Sequence, residues 1–164
     1  MLRISKLTDY GTVAMTYLAK ENGRLHSVSE IAGEIRLAAP TVSKILKQLV
    51  HERLVVSHRG VKGGYSLARP PAQISMLEII DALEGRVGLT ECGSSPGLCT
   101  QESLCSIRTN WQRISGAVRE ALAGVSLAEM AEPDLPPMSG TPVKIYPRRV
   151  SAAWTKREQR HGDA

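Results

Sequence analysis

The residues best suited to chemistry are three cysteines, which all lie within one short segment: Cys92, Cys99 and Cys105. An odd number of thiols cannot all pair as disulfides within one chain. The residues between the first two are mostly glycine, serine and proline and lack the periodicity of a core element, so a purely apolar role is disfavoured. Their type and clustering therefore indicate a ligand site or a redox site.

Four roles are open for these thiols. The gaps of six and five residues are wider than those of zinc knuckles, and no histidine lies nearby in the sequence. Thiolates ligate iron–sulfur clusters well, and a loose loop can wrap a cluster that is wider than one ion. We therefore predict an iron–sulfur cluster, with structural zinc, a redox disulfide beside a spare thiol, and buried apolar cysteines as alternatives.

Composition limits the class of protein. The chain has 164 residues, 42% hydrophobic and only 4% aromatic with no phenylalanine, so its core must be aliphatic. It shows neither an apolar run of the roughly 18 residues that a membrane span needs nor a signal peptide. We therefore expect a cytoplasmic protein without a membrane partner. A reducing compartment favours cysteine ligands over disulfides.

Positive charge is concentrated near the N-terminus. The net charge is +5, and residues 1–70 hold eleven Lys or Arg against five Asp or Glu. Such an excess is typical of a segment that binds nucleic acid.

Apolar spacing predicts a helix from Ser5 to about Asn22, and a capping box of Ser27 and Glu30 predicts a second one through about Ile35.

A third helix is predicted from Pro40 to about Arg53. Its apolar stripe consists of Val42, Ile45, Leu46 and Leu49. Its other faces carry hydroxyls, an amide and cations that can donate to phosphates and base edges in the major groove. These residues are Thr41, Ser43, Lys44, Lys47, Gln48 and His51. The alternative is an ordinary solvated face.

A glycine-rich hairpin follows this helix. Strands are predicted at Leu54–Val56 and Tyr65–Ala68, and the residues between and beside them include four basic ones: His58, Arg59, Lys62 and Arg69. A basic hairpin directly after a helix-turn-helix is typical of a wing, which contacts the phosphate backbone or the minor groove. The predicted fold is mostly α with a small β wing, a winged helix-turn-helix followed by a long dimerisation helix.

The second half of the sequence contains a predicted dimerisation element. A capping box of Ser75 and Glu78 predicts a helix over Met76–Glu84, with Leu77, Ile80 and Leu83 inward. Beyond Cys105, apolar residues recur at the coiled-coil-like spacing that suits a homodimer seam, beginning with Ile107, Trp111, Ile114 and Val118. A last short helix begins near Ser126. We expect a DNA-binding domain over 1–72, a cluster-binding and dimerisation segment over 73–131, and a disordered tail over 132–164.

An enzyme is disfavoured by the placement of the remaining reactive residues. Three histidines, His26, His51 and His58, fall in the predicted DNA-binding half, away from the cysteines. The chain has neither a phosphate loop nor a dinucleotide fingerprint.

Two motifs and the cysteine triplet together resemble a known group of regulators. The motifs are LTDYG at 7–11 and RGVKGGYSLAR at 59–69. Over about residues 1–132 the chain resembles the iron–sulfur-sensing winged-helix regulators of the IscR and NsrR type, and most closely the regulators of SUF cluster-assembly operons. The resemblance implies a homodimeric repressor of iron–sulfur assembly genes on a near-palindromic operator, with DNA affinity tuned by the cluster.

The same resemblance implies a ligand set. Members that use histidine place it three residues after the last cysteine, where this chain has Arg108, which has no lone pair to donate. NsrR-like members use an aspartate of a TDY sequence in the opposite subunit, which Asp9 matches. The implied ligands are Cys92, Cys99, Cys105 and Asp9 in trans, around a 4Fe–4S or 2Fe–2S cluster. A nitric oxide-, thiol- or zinc-responsive regulator on the same fold is the alternative.

Overall fold

The structure, a computed structural model, describes residues 4–94, 97 and 99–132. Within these ranges the chain forms helices joined by short connections, one two-stranded sheet and a single 3-10 turn. The elements are α1 Lys6–Lys20, α2 Val28–Glu34, α3 Ala39–His51, β1 Val55–His58, β2 Gly64–Leu67, the 3-10 turn Pro71–Gln73, α4 Met76–Glu84, α5 Glu91–Ser94, α6 Arg108–Ala123 and α7 Leu127–Ala131. The predicted tail lies, from residue 133 onward, outside the described residues.

Serine caps mark where four of the described helices begin, namely α1, α2, α4 and α7. Ser5, Ser27, Ser75 and Ser126 each accept a hydrogen bond from the backbone N–H three residues later, which satisfies one of the unpaired donors of a first helical turn. The capping box is reciprocal at Ser75 and at Ser126. The box predicted at Ser27 is wrong in its second half, because the carboxylate of Glu30 turns to Arg24 and His26 instead.

The core is aliphatic and joins the predicted DNA-binding helices to α4 and α7. The predicted α3 stripe is confirmed, since Val42, Ile45, Leu46 and Leu49 are all fully buried. On α4, Ile80 and Leu83 are buried as predicted, whereas Leu77 is only partly buried. One hydrophobic cluster joins α1, α2, α3 and β1 to Ile74, α4 and α7. It therefore continues across the boundary expected between residues 72 and 73.

The wing is a short antiparallel pair. Val55 pairs with Leu67 and His58 with Gly64, so both strands lie within a residue or two of their predicted positions. The N–H of Gly63 donates to Gly60 O at 2.9 Å and closes the turn. Gly60 has φ 111°, a conformation that favours glycine. The predicted fold class, mostly helical with a small β wing, is confirmed. Among the described residues, no helix is long and apolar enough to cross a membrane.

Candidate DNA-binding face and cysteine segment

The outer face of α3 presents cations and hydroxyls. Lys44 and Lys47 are exposed, and Thr41 and Ser43 are partly exposed. The buried stripe on the opposite side packs α3 into the core, so these side chains are held on a rigid helix. A rigid polar face of this kind can enter a major groove, where phosphate contacts position the protein and base contacts specify the sequence.

The side chain of Gln48, which was predicted to contact DNA, binds backbone atoms of α4 within the same chain. Its side-chain nitrogen donates to Ala82 O at 2.9 Å and to Leu83 O at 3.2 Å. Both carbonyls belong to the last turn of α4, where no backbone N–H of the same helix is available to them. Gln48 therefore caps the C-terminus of α4 and fastens it to α3. The sequence places Gln48 among polar residues and carries no signal for a partner 34 positions away.

The wing carries exposed basic residues at its tip. His58, Arg59 and Lys62 are all exposed. Arg69 lies at the base of the wing and is already paired, since its Nη2 lies 2.7 Å from the Glu78 carboxylate. The cationic surface of the hairpin is therefore concentrated around its turn, beyond the paired strands.

The cysteine segment connects α4 to α6. Cys92 is buried in α5, and its sulfur lies 3.3 Å from the Thr90 hydroxyl. Cys99 and Cys105 are partly exposed, and all three thiols are free. In the ranges that the structure describes, no three His, Cys, Asp or Glu side chains form a group that could hold a metal ion. A single chain thus brings the three cysteines into one segment without assembling them, or Asp9, into a ready site.

A carboxylate braces this segment from within. Glu102 accepts a hydrogen bond from the backbone N–H of Gly97 through Oε2 and pairs with Arg108 Nη2 through Oε1. The Nε of Arg108 is buried and has no hydrogen-bond partner among the described residues. Both oxygens of Glu102 are therefore engaged, and its ion pair with Arg108 ties this segment to the start of α6.

Asp9 is exposed in the first turn of α1. A carboxylate near a helix start often stabilises that terminus, but here Glu84 from the end of α4 takes this role. Its Oε1 accepts the backbone N–H of Ser5 at 2.7 Å. Hydrogen bonds from the Ser5 backbone and the Thr8 hydroxyl hold the pKa of Glu84 below its ordinary value, against the effect of partial burial. Asp9 is thus left at the surface beside an N-terminus that is already stabilised.

Helix α6 leaves apolar side chains in contact with solvent. Ile107 and Ile114 are 52% and 47% exposed, and Trp111 and Val118 are partly exposed. A groove of about 650 Å³ runs between α6 and residues 84–89 and is lined in part by Trp111 and Val118. Arg119 anchors the helix through two hydrogen bonds to Asp81 of α4, at 2.9 and 3.1 Å.

The chain thus consists of a helix-turn-helix with a basic wing, followed by a segment with three cysteines and a long helix. Residues 4–133 match Rrf2, a family described as iron-dependent transcriptional regulators. The chain belongs to the Rrf2 family. It is a transcriptional regulator that binds DNA through a helix-turn-helix, as predicted. Members of this family are not enzymes, which confirms the prediction that this chain is not one.

Relatives and solved structures agree with this assignment. ORF2 of Azotobacter vinelandii, whose name describes an HTH-type transcriptional regulator, is 31% identical over 131 residues, which cover 79% of each chain. The structure of CymR (YrzC), the global cysteine regulator of B. subtilis, is similar with a TM-score of 0.63 at 32% identity, covering 80% of this chain and 97% of that one. IscR of T. potens has a TM-score of 0.58 at 31% identity, covering 79% of this chain and 85% of its own.

Proposed function

We propose that this Rrf2 protein represses genes of iron–sulfur cluster assembly and that an iron–sulfur cluster sets its affinity for operator DNA. The observation that carries the proposal is the position of three free thiols in the one segment between α4, which packs on the DNA-binding helices, and α6, which carries the exposed apolar stripe. The description of the family as iron-dependent supports the choice of iron.

The donor set fits such a cluster in its chemistry. Thiolate sulfur is the usual ligand of iron–sulfur clusters, and Cys92, Cys99 and Cys105 supply three. Asp9 of the partner subunit supplies the fourth ligand in this proposal. Because the donors do not stand together in a single chain, loading would be coupled to ordering of the cysteine segment and to dimerisation. When bound, the cluster would supply the sensitivity to iron, oxygen or nitric oxide.

The chain's own residues offer a route from this segment to DNA. The last turn of α4 directly precedes the segment and is fastened to α3 by Gln48 and to α1 by the Ser5–Glu84 hydrogen bond. A change in the segment therefore acts on the helix end that holds the recognition helix. If two states differ in this contact, ligand and operator must affect each other's binding reciprocally.

The DNA contacts in this proposal come from α3 and the wing. We assign Thr41, Ser43, Lys44 and Lys47 to the major groove, and Arg59 and Lys62 to the backbone or minor groove beside it. Gln48 is left out of this set, because its amide is engaged by the two α4 carbonyls. A homodimer that is held together by α6 would present two such faces to the two halves of a near-palindromic operator.

A thiol-based regulator is the second candidate. It is favoured by two partly exposed free thiols, Cys99 and Cys105. It is also favoured by the similarity to an oxidized form of Staphylococcus aureus CymR, at 34% identity and a TM-score of 0.59. In this case oxidation of a thiol pair would replace cluster loss as the signal. A zinc site on the same cysteines is a variant of this candidate.

Protein purified without air separates the candidates. The proposal expects a visible charge-transfer spectrum with iron and acid-labile sulfide in comparable amounts, and an operator affinity that changes when the cluster is removed. Zinc without sulfide would support the metal variant. A colourless, metal-free protein whose operator affinity responds to reversible thiol oxidation would establish the thiol-based regulator instead.

A further inference from the structure

His26 is a fully buried histidine between α1 and α2 that holds the wing in place. Its backbone exchanges two hydrogen bonds with Tyr65 of β2, from His26 N to Tyr65 O at 3.0 Å and from Tyr65 N to His26 O at 2.8 Å. The neighbouring Gly64 lies so close to the His26 backbone that a Cβ there would collide with it. The position of His26 therefore determines where the second strand of the wing lies.

Both ring nitrogens of His26 face oxygen atoms. Nε2 lies 3.1 Å from the backbone carbonyl of Glu21, and Nδ1 lies 3.2 Å from Oε1 of Glu30. A carbonyl and an ionised carboxylate only accept hydrogen bonds, so the doubly protonated ring alone can satisfy both. A neutral ring would leave one nitrogen lone pair against an oxygen, and because the ring itself is fully buried, an unsatisfied polar atom on it is costly.

The other titratable groups around the ring keep the same protonation state near neutral pH. Burial works to raise the pKa of Glu30, but hydrogen bonds and charges from Arg24 and His26 outweigh it and keep that pKa below its ordinary value. Partial burial and the Glu30 charge raise the pKa of Tyr17, whose ring packs edge-on against His26.

The remaining charged neighbours are Arg24, which pairs with Glu30 and Glu21, and Glu34 on α2, whose charge acts on Tyr17. Tyr65 approaches from β2. His26 is therefore the residue of this cluster whose ring contacts depend on a second ring proton.

We propose that His26 is a positioning residue for DNA binding: its protonated ring holds the His26–Tyr65 pairing that seats the wing, and loss of the proton loosens the wing and lowers operator affinity. The inference rests on the proposed role of the wing in binding DNA. It does not depend on the cysteines or on a cluster, since none of the contacts that carry it involves them.

The test uses the full chain with His51→Gln and His58→Gln, so that no other histidine of the DNA-binding half contributes to the pH dependence. Operator affinity is measured from about pH 6 to 9, and ring ¹⁵N shifts report the protonation of His26. We expect affinity to fall about three- to tenfold as the ring loses its proton, which is the size of one buried hydrogen bond. Amide exchange at Tyr65 should become faster over the same range.

Glu30→Gln in that background is the matched variant. A glutamine amide can donate to neutral Nδ1, so the neutral ring would keep both hydrogen bonds and the pH dependence should flatten while the fold is retained. A flat affinity profile before this change, or the same slope after it, would overturn the role of His26. Arg59→Ala with Lys62→Ala tests the proposed wing contact separately from the role of His26. If this double variant loses no operator affinity, the wing does not contact DNA, and the role of His26 in DNA binding is overturned with it.

Discussion

At the residue scale, Glu84 leaves Asp9 available for a second task. Because the Glu84 carboxylate already accepts the Ser5 N–H at the start of α1, Asp9 adds little to the stability of that helix. Glu102 is in the opposite situation, since Gly97 and Arg108 engage both of its oxygens. Of the two, Asp9 is the carboxylate that the proposed ligand set can use without breaking an existing ion pair.

We expect Asp9→Ala to retain its fold, with a change in unfolding free energy of no more than about 0.5 kcal/mol. Its cluster should dissociate faster in air or have an altered spectrum, because a weak carboxylate ligand is removed. Each single Cys→Ala change at 92, 99 or 105 should abolish stable loading. Absorbance decay and iron counts measure both effects.

Glu91→Ala is the control for this prediction, because it removes an exposed carboxylate directly beside Cys92. It should leave the spectrum unchanged. If Asp9→Ala instead matches the parent in spectrum, cluster lifetime and cluster-dependent operator affinity, Asp9 is not a ligand. Glu91 or solvent would then be the remaining candidates for the fourth position.

Single polar residues are also the hardest to interpret from the sequence. The pattern correctly separates the buried stripe of α3 from its polar face, since helical periodicity is local. It does not show that Gln48 reaches the end of α4, that Arg69 pairs with Glu78, or that Glu30 abandons its own helix cap for His26. Those partners depend on how the elements pack, which one sequence does not encode in its spacing.

At the element scale, local sequence signals predict the helices well and the cysteine segment poorly. Residues 76–84 form α4 as predicted, because Ser75, Glu78 and Gly85 mark both ends. The sequence predicts a loop where the structure has the short α5 at Glu91–Ser94. The turn of α5 is stabilised by packing on α6, where Gly93 lies against Ser115 with no room for a Cβ.

The assignment of α3 as the recognition helix predicts a salt-dependent weakening of binding. Lys44→Ala with Lys47→Ala should lower operator affinity and reduce the slope of log affinity against log salt by about two, because each lysine that neutralises a phosphate adds about one to that slope. Lys20→Ala removes one exposed positive charge from the end of α1 instead and should have little effect on affinity or slope. An unchanged affinity and slope in the double variant would show that α3 does not face the DNA.

Gln48→Ala tests the junction between α3 and α4. It removes two hydrogen bonds to the last turn of α4 and should lower the free energy of unfolding by about 1–2 kcal/mol. It should also shrink the difference in operator affinity between cluster-loaded and cluster-free protein. Lys47→Ala, one residue away on the exposed face, should weaken DNA binding without lowering the free energy of unfolding, which is measured by urea denaturation. A Gln48→Ala protein in which base-specific binding alone is impaired would restore Gln48 to the DNA-contacting set.

At the scale of the whole molecule, one continuous core joins the DNA-binding helices to α4 and α7, while α6 remains half uncovered. Periodicity predicts the apolar stripe on α6, but the chain's own fold does not bury Ile107 or Ile114. A second copy that packs along this stripe would remove it from water. Dimerisation would also bring Asp9 of one subunit toward the cysteine segment of the other in the proposed ligand set.

Replacing Ile114 and Val118 with Asp tests this arrangement. Burying each apolar side chain contributes about 1.5–3 kcal/mol, and a charge in its place adds a desolvation cost, so the double variant should sediment as a monomer with weak operator binding. Met130→Asp places one such charge on an exposed apolar position of α7 and should remain dimeric. Circular dichroism checks that both variants are folded. A double variant that is folded and still dimeric would show that the α6 stripe is not the subunit interface.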